Sequence, residues 1–272
     1  MDFNQMSQLG WTNSQVGVLP TTLDNVNPAY YGLIADFISG AIQRNPGASL
    51  KSFYGARWYD TLRVDAGTMP VKETKFFSQA VGGQGKLFIA NTAYTKDYND
   101  TNMQINGMFA NGYESLIWSI QVEVSLVQAL DKTLQTTGNA VGLPLNPGLA
   151  STQAATDVIS QANLMRAFQT GSYFEFKINN TGFENGRADH FPSAYGVGGG
   201  GITMAGVVAG PIGDGAIPNS LGGFSYQIPI LRHLPPQTQF QVSYKNLNPF
   251  TNTAPFQVTV ILEGIGIQPV TG

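Results

Sequence analysis

The chain has 272 residues, of which 11% are charged, against roughly 25% in an average soluble domain. A net charge of −3 argues against a nucleic-acid-binding surface, and the lack of cysteine excludes disulfide bonds and thiolate chemistry. We expect no secretory leader and no membrane span, because residues 1–17 lack a basic and an apolar region and no apolar run approaches roughly 20 residues. So little charge favours burial of the surface against neighbouring subunits, with a sparsely charged monomer as the alternative.

Residues 1–52 are predicted to form an N-terminal arm that contains one amphipathic helix at 28–43. Asn27 is a suitable N-cap, Pro28 is a suitable first helical residue, and Asn-Pro-Gly at 45–47 ends the helix. The apolar side chains recur at helical spacing, and they are Tyr30, Leu33, Ile34, Phe37, Ile38, Ala41 and Ile42. Three partners for this face remain open: the body of the same chain, a neighbouring subunit, or a lipid surface, for which basic residues are few.

Alternation of apolar and polar residues predicts eight strands in residues 53–272. They lie near 60–66, 71–80, 116–126, 173–179, 187–195, 224–232, 238–246 and 255–267, and a short extra strand is a candidate within 86–94. The clearest alternation predicts that one face of the third strand carries Trp118, Ile120, Val122, Val124 and Leu126. Pro229 lacks an amide proton, so we expect its strand at a sheet edge or at a bulge.

Two long connections, at 127–170 and 196–223, interrupt the strands. The first contains "STQAATDVISQANLMRAF" at 151–168, whose helical spacing predicts one short inserted helix. The second is rich in glycine and carries apolar residues that are costly to leave in water as one patch. We therefore expect Val207, Val208 and Ile212 to contact a neighbouring subunit, with packing on their own domain as the alternative.

No pattern for catalysis, cofactor binding or metal binding is complete in the sequence. His190 follows Asp189, but neighbouring residues of a strand point to opposite faces. The run "GVGGGG" at 196–201 has a dinucleotide-binding spacing but lacks the helix that must follow it. The run "KDYNDTN" at 96–102 offers oxygen atoms to calcium, yet a polar turn explains it because no Glu closes the loop. We predict a protein that is not an enzyme and has no cofactor and no metal.

Two other functions are kept as alternatives. A hydrolase would use Glu123 and Glu175, the two acids in the middle of clear strands, if they approached each other across a cleft. A carbohydrate-binding or adhesion module would use exposed aromatic side chains, for which the candidates are Trp58, Tyr59, Tyr94 and Tyr113.

The unequal spacing of the strands favours Greek-key connections, and eight strands in two facing sheets make a jelly roll. We therefore predict an all-β fold, an eight-stranded antiparallel jelly roll over residues 53–272, with an N-terminal arm and helix and one short inserted helix.

The layout of residues 53–272 resembles that of viral jelly-roll capsid proteins, whose strands are lettered B to I. The segments "DTLRVDAG", "KETKFFSQAV", "LIWSIQVEVSL" and "YFEFKINN" correspond to B, C, D and E. The segments "RADHFPSAY", "SYQIPILRH", "TQFQVSYKN" and "FQVTVILEGIGI" correspond to F, G, H and I. The elements "YESLIWSIQVEV" and "VTVILEGIGIQPV" are similar to those of small phage shell proteins. The resemblance implies two sheets with the strand orders BIDG and CHEF.

In function, the resemblance implies a structural virion protein, the major capsid protein of an icosahedral bacteriophage, which builds a shell by self-assembly. The expected partners are copies of itself and other capsid proteins, and the expected location is the virion, after assembly in the host cytoplasm. The arm departs from many capsid proteins in not being basic, so we expect no sequence-specific contact with nucleic acid. Instead Phe37, Ile38 and Ile42 are expected to contact a neighbouring subunit, and helix 28–43 is the element that would contact an internal membrane.

Overall fold

A computed structural model describes residues 28–44, 52–126, 167–168, 170–191, 227–252 and 255–268. Within these residues the chain is mostly antiparallel sheet with one α-helix, which confirms the prediction of an all-β fold. A 3₁₀ turn at Pro28–Tyr30 leads into helix α1 (Tyr31–Arg44). The strands are β1 (Phe53–Val64), β2 (Gly67–Thr68), β3 (Glu73–Phe76), β4 (Gln84–Lys86), β5 (Ala93–Thr95), β6 (Glu114–Leu126), β7 (Ser172–Ile178), β8 (Thr181–Arg187), β9 (Gln227–Leu234), β10 (Phe240–Asn246), β11 (Thr251–Asn252) and β12 (Phe256–Ile267).

Eight of the strands form two four-stranded sheets. The first sheet has the order β1-β12-β6-β9 and the second has the order β3-β10-β7-β8, while β2–β11 and β4–β5 are short separate ladders. The pairs in both sheets are antiparallel, and β1 pairs with β12 from Phe53↔Ile267 to Val64↔Phe256. Except for β7–β8, each connection between these eight strands passes from one sheet to the other.

The two sheets share one hydrophobic core, in which aromatic rings surround Tyr244. The centroid of the Tyr244 ring lies 5.1 Å from that of Phe174, 5.4 Å from that of Phe88 and 5.9 Å from that of Phe168. The Tyr244 hydroxyl accepts a hydrogen bond from Ser172 Oγ at 3.4 Å, and burial raises the pKa of this tyrosine. Contacts between aromatic rings add about 1 kcal/mol per pair to the stabilisation from buried area. The Phe168 ring also lies 6.0 Å from that of Phe256 on the first sheet, so the group links the two sheets.

The connection between β3 and β6 covers the free edge of β1, an outer strand of the first sheet. The Thr61 amide donates to the Asp100 carbonyl at 2.7 Å. The Arg63 guanidinium donates to both oxygens of the buried Asp100 carboxylate, at 2.7 Å and 2.8 Å. The main-chain hydrogen bond satisfies an amide that an open edge would present to other chains, and the ion pair holds the connection against the strand.

A buried ion pair lies behind this edge. The Asp60 carboxylate is fully buried and accepts hydrogen bonds from Lys96 Nζ and from the Phe77 amide. Burial raises the pKa of Asp60, although Lys96 and the Phe77 amide oppose the shift. Phe77 is itself fully buried and has a φ of 62°, so the Asp60 contact holds a conformation that bulky residues rarely adopt.

The strand predicted near 187–195 is misplaced. The structure has β8 at Thr181–Arg187, followed by a 3₁₀ turn at Ala188–His190. Asn179 and Asn180, with φ of 47° and 65°, form the two-residue turn that joins β7 directly to β8. Because β8 is an outer strand of the second sheet and is exposed along most of its length, no alternation of apolar residues marks it.

The structure also bears on the predicted helix, the strand that contains Pro229, the extra short strand and the two insertions. Helix α1 with its 3₁₀ turn confirms the helix predicted at 28–43, and β9, which contains Pro229, is an outer strand as expected. The extra strand predicted within 86–94 is present only as the ends of the β4–β5 hairpin. The insertions at 127–170 and 196–223 lie outside the described residues, apart from a helical turn at 167–168 and 170–171.

Candidate functional site

Helix α1 lies on the outer surface of the first sheet, on the side away from the core between the sheets. Four buried side chains of α1, each at most 8% exposed, face this sheet: Ile34, Phe37, Ile38 and Ala41. They pack on six residues of the first sheet, which we call the helix-covered face: Phe53, Leu116, Trp118, Leu231, Ile265 and Ile267. A helix of 14 residues is marginal by itself in water, so its stability comes mainly from this packing.

A β-bulge at Trp118 creates the helix-covered face on β6. Glu263 pairs with Ser119 and Gly264 pairs with Ile117, so Trp118 is an extra residue that opposes no residue of β12. An extra residue reverses the direction of the side chains that precede it. For this reason the even-numbered residues Leu116 and Trp118 face α1, whereas the even-numbered residues 120–124 after the bulge face the core.

The bulge overturns one prediction from the alternation. Ile120 and Val122 face the core, whereas Leu116 and Trp118 face α1, so the prediction that Trp118 shares a face with Ile120 is wrong. Gly264 lies opposite the bulge, where a Cβ atom would stand 2.1 Å from the Leu116 carbonyl oxygen. The close approach of the two backbones therefore requires glycine at this position.

Three polar side chains, which we call the Glu114 cluster, join the end of α1 to the sheet. Glu114 Oε2 accepts hydrogen bonds from Arg44 Nη2 at 2.9 Å and from His233 Nε2 at 2.7 Å. The Glu114 side chain is 2% exposed, and the rings of His233 and Phe37 lie 5.3 Å apart. Burial opposes ionisation of Glu114, but the hydrogen bonds from His233 and Arg44 outweigh it and hold its pKa below the usual range. The cluster thus stabilises α1 on the sheet as long as Glu114 is ionised.

Exposed apolar side chains occur both on α1 and on β9, the outer strand to which the start of α1 is bound. The Tyr30 hydroxyl donates to the carbonyl oxygen of Ile228 at 3.1 Å and so ties the start of the helix to β9. Leu33, one turn further along, is 52% exposed, and Ile230 on β9 is 60% exposed. Large apolar side chains beside an outer strand are typical of a contact surface for another protein.

The structure places three of the six predicted contact residues on α1. Phe37 and Ile38 are buried against the helix-covered face, and Ile42 is half-buried beside them. Their apolar surface is therefore used within the chain, which was one of the partners that the sequence left open. Their contact with another subunit stays a prediction. The other three, Val207, Val208 and Ile212, lie outside the described residues.

The polar run at 96–102 is a hydrogen-bonded turn. Asp97 Oδ1 accepts a hydrogen bond from the Asn99 amide at 2.8 Å, and the Asp100 carboxylate is held by Arg63. Three of the four carboxylate oxygens of Asp97 and Asp100 are thus bound to donors of the chain. Among the residues that the structure describes, no group of three His, Cys, Asp or Glu side chains is placed to hold a metal ion.

The two acids considered for hydrolysis are not brought together. Glu123 alternates with core-facing residues of β6, and Glu175 alternates with core-facing residues of β7, so they point to opposite outer surfaces of the two sheets. The chemistry of a glycosidase requires its two carboxylates roughly 5 to 10 Å apart, on either side of one bond. Glu175 is instead paired with Lys177 at 2.8 Å, and the Asp189 carboxylate beside His190 is paired with Arg187.

The four aromatic residues considered for carbohydrate binding do not form an exposed platform. All four are half-buried. Trp58 and Tyr113 pack against the core between the sheets, and the Tyr94 ring is covered by the Arg63 guanidinium at 4.6 Å. The Tyr59 hydroxyl donates to a main-chain carbonyl of the connection between β3 and β6. Packing in the core or at contacts was the alternative for these residues, because the sequence alone does not distinguish aromatic side chains that pack inward from those that are exposed.

Comparison with known proteins found no matching family model, no matching curated protein and no matching solved structure. A search of the helices in the described ranges found no segment with the length and hydropathy of a membrane span.

Proposed function

We propose that this chain is a structural subunit of an icosahedral virion, a jelly-roll protein that builds a shell by association with copies of itself. The observation that carries the proposal is the strand order of the two sheets. The chain passes between sheets at nearly every connection and produces the orders β1-β12-β6-β9 and β3-β10-β7-β8.

The correspondence between these orders and the lettered strands supports the jelly roll. The segments compared with B, I, D and G are β1, β12, β6 and β9, and those compared with C, H and E are β3, β10 and β7. The remaining strand, F, corresponds to β8, a few residues earlier than the sequence suggested. The two sheets therefore have the orders BIDG and CHEF that the resemblance implies.

The proposed subunit contact is the edge formed by α1 and β9. Leu33 and Ile230 are both more than half exposed there, and the low charge of the chain leaves little electrostatic repulsion between copies. Many weak contacts of this kind add up in a closed shell, so no single contact has to be strong.

Sedimentation velocity of the purified protein, with variants at this edge, tests the proposal. We expect the unchanged chain to form large closed assemblies and the double variant Leu33→Glu/Ile230→Glu to shift toward small species while keeping the same circular dichroism spectrum. Gln43→Glu, at an exposed position of the same helix, is the matched control and should assemble normally. A chain that stays monomeric at high concentration and alongside the other proteins of its source would contradict the proposal.

Three further parts of the proposal concern its partners and location. Other capsid proteins are expected in the same shell, and the virion is the expected location. Contact of helix 28–43 with an internal membrane requires the helix to leave the helix-covered face or to use its outer side, where Leu33 is the exposed large apolar residue.

A further inference from the structure

A polar cleft of about 170 Å³ opens at one end of the second sheet. It lies between the β7–β8 turn, the start of β10 and the connection that precedes β6. The cleft is lined by five amide side chains and one lysine: Asn106, Asn179, Asn180, Gln239, Gln241 and Lys177. The polar lining of the cleft therefore consists mainly of amides.

Backbone hydrogen bonds fix the walls of the cleft. The Phe240 amide donates to the Gly107 carbonyl at 2.8 Å, and the Asn179 amide donates to the Gln239 carbonyl at 2.9 Å. Gly107 has a φ of 62°, a conformation that favours glycine and that turns its carbonyl toward β10. Asn180 has a φ of 65° in the tight turn. The cleft is therefore preformed, and binding would not have to order its main chain.

The amide groups of the cleft are available for a ligand. Within the described part of the chain, the side chains of Asn179, Asn180, Gln239 and Gln241 have no hydrogen-bond partner. Asn106 uses only its Oδ1 atom, which accepts from the Ala80 amide at 2.7 Å. Each free carboxamide can donate and accept, which is the requirement for binding hydroxyl groups that do both.

The charge of the cleft is nearly balanced. Lys177 is the cation in the lining, and its ammonium group is paired with Glu175 at 2.8 Å. An anion such as phosphate or sulfate would compete with this carboxylate for the ammonium group and would find no second cation in the lining. The volume corresponds to about six water molecules, which is close to that of one hexose.

We propose that this cleft binds a neutral, hydroxyl-rich ligand, namely one sugar unit of a cell-surface or free saccharide. The five amides recognise its hydroxyl groups by hydrogen bonds. Phe240 lines the cleft, but its ring is 2% exposed, so stacking on a sugar ring contributes little and the dissociation constant falls in the millimolar range. The proposal does not depend on the role of the chain in a shell, because it concerns a site formed within one chain.

Saturation-transfer NMR with the full-length protein and a panel of neutral hexoses tests the proposal. We expect saturable binding of at least one hexose, weakened about fivefold for each amide removed. Gln239→Ala and Gln241→Ala remove amides from positions that tolerate alanine, and Asn180→Gly removes an amide while permitting the same backbone conformation. Gln84→Ala, an exposed amide on β4 away from the cleft, is the matched control and should leave binding unchanged.

Three results would overturn the proposal. The first is that no neutral saccharide binds saturably at tens of millimolar. The second is that binding is unchanged in all three cleft variants, each of which is first checked for the native circular dichroism spectrum. The third is that inorganic phosphate or a sulfated sugar binds more tightly than every neutral hexose and is released by salt, which would assign the cleft to anions.

Discussion

The core between the sheets and the helix-covered face are both apolar and buried, but they are enclosed in different ways. The core is covered on both sides by four-stranded sheets and is filled by closely spaced aromatic rings. The helix-covered face is closed by a single helix, which is joined to β1 through residues 45–51. Opening the core requires unfolding of the sheets, whereas opening the helix-covered face requires only that α1 leaves. Among the described residues, the helix-covered face is therefore the buried region whose opening requires less unfolding.

The two buried carboxylates Asp60 and Glu114 differ in the direction of their pKa shifts. Asp60, behind the first sheet's edge, is fully buried, and burial raises its pKa. Glu114, beneath α1, has a lowered pKa because its hydrogen bonds from His233 and Arg44 outweigh its burial. Acid therefore weakens the contact between helix and sheet by protonating Glu114, whose pKa is lowered in the folded chain. Protonation of Asp60 carries no such loss of stability, because its pKa is raised in the folded chain.

The largest effect is expected in the core. Phe174→Ala removes a fully buried ring that contacts Tyr244, and we expect a loss of about 4 kcal/mol in the free energy of unfolding. Because both sheets share the core, hydrogen exchange should accelerate in β6, β7, β10 and β12 together. Phe174→Leu keeps most of the volume and should lose less than half as much. Faster exchange confined to β7 would show that the two sheets do not unfold as one unit.

A smaller and local effect is expected beneath the helix. Ile38→Ala removes a side chain that is 1% exposed on α1, with an expected cost of about 3 kcal/mol to helix docking. Exchange should accelerate in α1 while the strands keep their protection. Leu33→Ala, at an exposed position of the same helix, is the matched control and should change little. Equal acceleration in α1 and in the strands would remove the distinction between the two regions.

The pH dependence of helix docking follows from Glu114. Its pKa is lowered in the folded chain, so its contribution is complete above the ordinary glutamate pKa of 4.5 and is lost as pH falls through the lower folded value. The side chains that face it are the Arg44 guanidinium and the His233 imidazole. We expect exchange in α1 to rise below that pKa before exchange in the strands does.

Glu114→Gln isolates this contribution. The amide keeps an oxygen acceptor but loses the charge, so docking should weaken by about 1 kcal/mol at neutral pH and its acid dependence should disappear. An α1 whose exchange follows the same pH profile in the unchanged protein and in Glu114→Gln would mean that other groups control docking.

The smallest effect is expected at an exposed ion pair of the second sheet. Glu73 and Lys245 are 3.5 Å apart, with side chains that are 43% and 39% exposed. Glu73→Gln should change the free energy of unfolding by less than about 0.5 kcal/mol, because water screens such pairs. A thermal melt that shifts by as much as that of Ile38→Ala would indicate that surface charge matters more here than the burial of α1.

Period-two alternation was sufficient to predict most of the sheet strands, because β6, β7, β10 and β12 each have one face in the core. It failed at β8, whose exposed faces leave no pattern, although the Asn179-Asn180 turn was a readable signal. It also failed at Trp118, because a bulge depends on the partner strand, here on Gly264, and not on the local sequence. Helical spacing predicted which face of α1 is apolar, but it did not predict that this face packs on the first sheet.

The polar parts of the structure were harder to predict. Asp60, Lys96 and Glu114 are buried, although charged residues are mostly exposed and the sequence around them gives no sign of pairing. Their partners are distant in sequence, as with Glu114 and His233, so only the folded chain brings them together. The amides of the cleft were missed for the same reason, since they come from three separate segments.

Cryo-electron microscopy of the purified protein tests the proposed role most directly. The proposal predicts closed icosahedral particles in which each subunit has the β1-β12-β6-β9 and β3-β10-β7-β8 sheets and the α1–β9 edge contacts a neighbour. Single, separate molecules at every concentration, in material from the native source as well as from expression of the chain alone, would contradict it.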